Sequence, residues 1–262
     1  MKDRHTRALI SEITLDASPE AVWKAITDPE ELVRWFPFEA EAVPGPGGHL
    51  TYRWGTLRFV NRIEVWEPGR RLRMTWGEAG GPSRLAVDWY LEGRAGGTTL
   101  RLVHSGFAHD APWDGEYDGI RRGWMFELAS LRLYLHEHSG RDRRVFWIQR
   151  PFSGAAAEAW ARLTGPDGIV TDGAPGTLGA ADRYALTLCG RDRLEGRVLV
   201  NAPPFEFGGT VESHGNGLMR FGHEDCGQGP VAHLWLSTWR SSQADMDSIE
   251  ARWRAEMSRL FP

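Results

Sequence analysis

The stretch ASPEAVWKAITDPEELVRWF, residues 17–36, carries the same punctuation twice. Ser18 is an N-cap residue followed by proline at the first helical position, and Val22, Ala25 and Ile26 then recur at helical spacing. Asp28-Pro29-Glu30-Glu31 repeats the device. Glu31 stands three residues after the cap, as in a capping box, and Leu32, Trp35 and Phe36 give a second short helix its buried side. Two tandem helices are predicted, and their flanks decide the fold. Before them, in residues 8–16, Leu9, Ser11, Ile13 and Leu15 alternate with Ile10, Glu12 and Thr14, which reads as a strand.

After them the period changes from 3.6 to 2. Between residues 38 and 104, turn signals recur at Pro44 to Gly48, Glu67-Pro68-Gly69, Gly77 to Pro82 and Gly93 to Gly97, the spacing of an antiparallel meander. The inward stripes read Leu50, Tyr52, Trp54; Leu57, Phe59, Asn61, Ile63, Val65; Leu72, Met74, Trp76; Leu85, Val87, Trp89, Leu91; and Leu100, Leu102, His104. Arg58, Arg62, Arg71, Arg73, Asp88, Glu92 and Arg101 are assigned to the watery face. A loop is expected over residues 105–118, then a long helix with Ile120, Trp124, Leu128, Leu131 and Leu135 on one stripe. So long a stripe needs a large apolar partner, which the sheet supplies.

The polar run His138 to Arg144 reads as a boundary, giving domains over residues 1–139 and 143–262. Beyond it the order of elements recurs in worn form. Residues 21–29, AVWKAITDP, align without a gap on residues 158–166, EAWARLTGP; Trp124, Glu127, Leu128 and Leu131 align on Trp253, Glu256, Met257 and Leu260. Strand-like runs at 183–188, 194–201, 205–212, 218–223 and 231–237 lie between these anchors, so duplication is the economical explanation. A glycine-rich stretch, residues 165–179, replaces the second helix.

Composition excludes more than it suggests. Thirty-one basic against thirty-five acidic residues leave a net charge of −4, which supports neither a nucleic-acid nor an anionic-membrane partner. No apolar run approaches membrane-spanning length and the amino terminus lacks a leader's pattern. Cys189 and Cys226 cannot build a disulfide framework or a four-cysteine metal site, so a reducing cytoplasm is expected.

A strand, two capped helices, a six-strand meander and a closing helix is the helix-grip order. The details resemble the START-like (SRPBCC) proteins of the AHSA1-like branch, the activator of Hsp90 ATPase homologues. Residues 17–36, Glu64 to Leu72 with Thr75-Trp76, the run Gly97 to Phe107, and Gly123-Trp124 with Leu128, Leu131 and Leu135 carry the likeness across residues 7–137. The second half lacks the Asp-Pro-Glu-Glu helix, the His-Ser-Gly-Phe turn and the Gly-Trp pair, and its membership rests on the internal repeat. The resemblance implies two tandem helix-grip α+β domains, the second degenerate, with a cavity between sheet and closing helix that takes a small apolar or aromatic ligand. Interaction with a chaperone or another protein, or a cyclase- or hydratase-like activity, are its alternatives.

The inward rings Tyr52, Trp54, Trp76 and Trp89, with Trp124 on the helix, either fill the interior or line a pocket for a flat molecule. Asn61, His104 and Glu127 are polar residues on apolar stripes. Glu127 has to be ion-paired, protonated or open to a wet cavity, because a bare buried carboxylate is costly. These eight residues form the expected ligand site; His104 and Glu127 are the first acid–base suspects in a catalytic reading. No phosphate loop, dinucleotide fingerprint, nucleophile elbow or convincing metal set is present, so no cofactor, metal or catalytic residue is assigned. The aromatic and acidic segment 106–118, with Phe107, Trp113 and Tyr117, could gate the cavity, present a contact surface or pack as a connection.

Overall fold

A computed structural model describes residues 6–76, 85–108, 112–225 and 229–262. The chain divides into two compact units, residues 1–142 and 143–262. In the first, β1 (Arg7–Leu15), α1 (Pro19–Thr27) and α2 (Pro29–Leu32) are followed by six strands: β2 (Glu39–Val43), β3 (His49–Trp54), β4 (Leu57–Glu67), β5 (Arg71–Trp76), β6 (Ala86–Arg94) and β7 (Gly97–Phe107). The helix α3 (Pro112–Leu133) closes the unit and runs into one π-helical turn, Tyr134–His138. All seven strands are antiparallel neighbours in the order β1-β7-β6-β5-β4-β3-β2. Alternation supplies the apolar face, and Gly97 lets β7 start tight against β1: a Cβ there would lie 2.1 Å from the Leu15 carbonyl oxygen.

The caps form as the sequence demands. Ser18 Oγ accepts from the Ala21 amide at 3.3 Å and Asp28 Oδ1 from the Glu30 amide at 2.9 Å. Ser18→Ala is expected to destabilise the first unit by about 1 kcal/mol, seen as a lowered urea midpoint; an unchanged midpoint would leave the cap without energetic weight. The capping-box expectation for Glu31 fails. Its carboxylate takes Arg34 at 2.8 Å, Lys24 at 3.2 Å and the Tyr134 hydroxyl instead, because α2 is only one turn long and ties to the end of α3 rather than to its own cap.

Three further expectations need correction. Asp88, expected on the watery face, is buried, its carboxylate held by Arg71 at 2.8 Å and by Arg73 across the β5–β6 ladder. Paired guanidinium groups supply what water would have. The register shifts between Ile63 and Val65, so a bulge breaks the β4 stripe and leaves Val65 half-buried. The helix α3 begins at Pro112 rather than after Asp118. Phe107 is fully buried at the end of β7 and meets Tyr117 edge-on at 5.2 Å; Arg7 lies over Tyr117 and pairs with Asp114 at 2.6 Å. Most of the supposed loop is thus strand end and helix, while Asp110 lies outside the described residues.

The second unit repeats the architecture. Its elements are β8 (Arg144–Pro151), α4 (Ala156–Thr164), β9 (Val170–Asp172), β10 (Arg183–Leu188), β11 (Asp192–Ala202), β12 (Glu206–Val211), β13 (Gly217–Asp225), β14 (Pro230–Thr238) and α5 (Gln243–Leu260). The strand order is β8-β14-β13-β12-β11-β10-β9, the order of the first sheet element for element. Even a hydrogen bond is duplicated: Thr27 Oγ1 donates to the Trp23 carbonyl at 2.7 Å, and Thr164 Oγ1 to the Trp160 carbonyl at 2.8 Å. The glycine-rich stretch holds β9 and one 3-10 turn where the first copy has α2. The chain is therefore two tandem helix-grip α+β domains, each an antiparallel sheet with a long carboxy-terminal helix.

Candidate functional site

A cavity of about 110 Å3 lies within the first unit. Its wall comes from every layer: Ile26 of α1; Leu32, Trp35 and Phe36 from α2 and the turn after it; Tyr52 and Trp54 of β3; Phe59 and Asn61 of β4; Met74 and Trp76 of β5; Val87 and Trp89 of β6; and Trp124 of α3. Alternation aims the strand residues inward, while the capped helix pair brings Trp35 and Phe36 over them. The Trp35 indole donates to the Ala25 carbonyl at 2.8 Å, and the Trp35 carbonyl accepts from Ser130 Oγ of α3 at 2.7 Å. These bonds fix the helix pair to the closing helix.

Rings dominate the wall. Phe36 meets Tyr52 at 5.1 Å and Trp54 at 5.0 Å edge-on, and stacks on Trp124 at 5.9 Å. Phe59 meets Trp76 perpendicularly at 4.9 Å, and Trp89 meets Trp124 at 5.4 Å. Such offset and edge-on pairs are the favourable aromatic arrangements. None of the wall residues is charged. Two have polar side-chain ends besides the indoles: Asn61, whose Nδ2 donates to the Leu50 carbonyl at 3.2 Å, and Tyr52, whose hydroxyl faces Met74 Sδ at 4.0 Å.

Of the eight residues expected from sequence, Tyr52, Trp54, Asn61, Trp76, Trp89 and Trp124 meet at this cavity. His104 lies behind the wall. It is fully buried, stacked on Trp76 at 5.9 Å and tilted against Phe107 at 4.8 Å, and its Nδ1 accepts from the Trp124 indole at 3.0 Å. An accepting Nδ1 places the proton of the neutral ring on Nε2, which has no hydrogen-bond partner among the described residues. Burial pushes the pKa of His104 down to about 4, so the ring is neutral near pH 7. Glu127 is buried on α3 but is not among the wall residues. Its counterpart in the repeat, Glu256, is half-exposed and pairs with Arg259 at 2.7 Å.

Sequence reasoning omitted Ile26, Leu32, Trp35, Phe36, Phe59, Met74 and Val87 from the site. Phe59, Met74 and Val87 lie on the same stripes as the named residues, so the signal was present. Trp35 and Phe36 could be found only by knowing that the helix pair lies over the cavity.

Elsewhere, chemistry is sparse. The Cys189 thiol is half-buried and pushed up to about 12 by burial, which disfavours a reactive thiolate. Cys226 lies outside the described residues. His223 Nε2 contacts the Phe152 carbonyl at 3.0 Å, and His136 Nε2 accepts from the Asp16 amide at 2.9 Å. Among the described residues, no three His, Cys, Asp or Glu side chains gather as a metal site and no helix is long and apolar enough to cross a membrane. The second unit carries an open polar cleft of about 470 Å3 beside α5, lined by Asp192, His214, Arg240, Asp245 and Arg252 among others. Within it Arg252 pairs with Asp192 at 2.6 Å, and Asp245 Oδ2 accepts from Ser242 Oγ at 2.6 Å.

Comparison with known proteins returns one family model, that of activator of Hsp90 ATPase homolog 1-like proteins, matching residues 16–136. An AHSA1-like protein from Rhizobium etli is 32% identical, over 52% of this chain and 86% of that one, with a TM-score of 0.42. The Aha1 dimer from Colwellia psychrerythraea is 19% identical over 51% of this chain and 99% of that one, with a TM-score of 0.47. DynU16, from the dynemicin biosynthetic locus, is 19% identical over 97% of both chains, with a TM-score of 0.44. No curated protein matches the sequence.

Proposed function

The chain belongs to the AHSA1-like family of START-like proteins, and on that premise we propose that its first domain binds a small apolar or aromatic molecule in the cavity between sheet and closing helix, without catalysing a reaction on it. The observation that carries this reading is an uncharged wall, mostly of aromatic rings, around a cavity inside the first domain. Native interiors keep few voids larger than a water molecule, and an apolar one is a site for an apolar guest. Its volume sets the scale. An engineered cavity of about 150 Å3 takes up benzene, so about 110 Å3 suits a single ring once the wall yields slightly. Phe36, Trp54, Phe59 and Trp76 are only half-buried and supply that movement at the rim.

The same wall favours a non-catalytic role. With no ionisable carboxylate or imidazole on it, the site has rings to hold a molecule and no acid–base pair to transform one. Docking to a chaperone is the other role the family suggests. It draws less support, because of the large apolar side chains well exposed among the described residues of the first unit, Ile10, Val43 and Met125, the first two lie on strands at opposite edges of the sheet. We place the protein in the cytoplasm on its sparse cysteines.

Benzene added to the full chain is expected to shift the indole resonances of the wall tryptophans saturably. Val87→Phe, which fills the void from β6, is expected to abolish that shift while leaving the fold intact, at about 1–3 kcal/mol of overpacking. Binding that survives the filled cavity would place the ligand elsewhere.

A further inference from the structure

We propose that the cavity selects a phenol, an aromatic ring bearing one hydroxyl, over the bare ring, with Tyr52 and Asn61 as the two partners of that hydroxyl; this rests on the reading of the cavity as a ligand site. The register places the two side chains together. Tyr52 pairs with Phe59 and Asn61 with Leu50 across the β3–β4 ladder, so Tyr52 and Asn61 are diagonal neighbours on one face, and both line the cavity. Asn61 also stands opposite Trp76 on β5, another residue of the wall.

Each side chain has hydrogen-bonding capacity left over: the Oδ1 lone pairs and a second Nδ2 N–H on Asn61, and the hydroxyl of Tyr52. The Leu50 carbonyl can only accept, so the Asn61 atom facing it is Nδ2. That leaves Asn61 Oδ1 as an acceptor with no donor among the described residues. The Tyr52 hydroxyl is buried, yet its partner among those residues is a thioether sulfur at 4.0 Å, the weakest acceptor a side chain offers. Buried tyrosine hydroxyls usually find an oxygen or nitrogen. Burial also raises the Tyr52 pKa above its ordinary value, so the group stays protonated and able to donate.

A phenolic hydroxyl answers both needs, accepting from Tyr52 and donating to Asn61 Oδ1. A ketone can accept but has no proton to give Asn61 Oδ1, and a plain arene does neither. A carboxylate would enter an uncharged wall with no cation to meet it.

The test titrates the full chain with phenol and with benzene, following the tryptophan indole resonances. In a purely apolar cage benzene binds more tightly, because the phenol hydroxyl loses water and gains nothing. With Tyr52 and Asn61 in place, phenol is expected to bind about tenfold more tightly than benzene, and Tyr52→Phe is expected to reverse that order. A wild-type chain that binds benzene as well as phenol overturns the hydrogen-bonding assignment and leaves the cavity standing. A phenol preference that persists in Tyr52→Phe overturns the role of Tyr52. Failure of both probes to bind saturably overturns the cavity reading itself, and this inference with it.

Discussion

Trp35→Ala is expected to destabilise the first domain by about 3–5 kcal/mol, the range for emptying a fully buried tryptophan site. Trp35 is 0% exposed although it sits just beyond the single turn of α2. A one-turn helix has little stability of its own, so the side chain that anchors it carries the whole helix pair. The indole bonds the Ala25 carbonyl of α1, the backbone carbonyl accepts from Ser130 of α3, and the ring stacks on Phe36 at 5.1 Å and walls the cavity. Truncation opens a hole, leaves the Ala25 carbonyl without its donor and loosens Phe36 over the site. Amide exchange measured peptide by peptide separates the two domains: protection of β1, β6 and β7 should fall while that of β13 and β14 is retained. A fall worth less than about 1 kcal/mol would show that the helix pair is held by something other than this ring.

That anchor illustrates where the sequence was informative. Proline after a capping residue is local chemistry, and alternation is local geometry, so α1, α2 and the strands could be read directly, as could the repeat once residues 21–29 were laid on residues 158–166. What failed depended on partners distant in the chain. Alternation sends Asp88 outward, and only the pairing of Arg73 with Asp88 across the ladder reveals a buried carboxylate between two guanidinium groups. Asp192 is a parallel case in the second domain: it opens β11 and accepts from the Trp253 indole at 2.9 Å and from Arg252, a contact that the match of Trp253 to Trp124 does not foretell, since Trp124 donates to a histidine. The cavity stands between these extremes. Its ring-bearing stripes were legible, but whether rings leave a void between them is a property of packing that no periodicity encodes.

The histidine behind the wall gives the chain a pH dependence of calculable sign. Burial lowers His104 from an ordinary value near 6.5 to about 4, and its surroundings are the rings of Trp76, Phe107 and Trp124. Between those two values the unfolded chain binds a proton that the folded one refuses. Stability therefore rises with pH through this window, is complete above about pH 6.5, and is lost as pH falls toward 4. At pH 4.5 the loss from this one side chain is on the order of 2–3 kcal/mol relative to pH 7. Protonation also requires Nδ1 to abandon its acceptor role toward the Trp124 indole, so acid strikes the contact between β7 and α3 that backs the cavity. His104→Gln keeps a side-chain oxygen that can accept from Trp124 and cannot titrate. Amide exchange in β7 at pH 7 and pH 4.5 should show the wild type losing roughly 2–3 kcal/mol more protection than this variant. Parallel losses in the two proteins would mean that His104 takes up its proton in the folded state without cost, and that the ring is wetter than its burial implies.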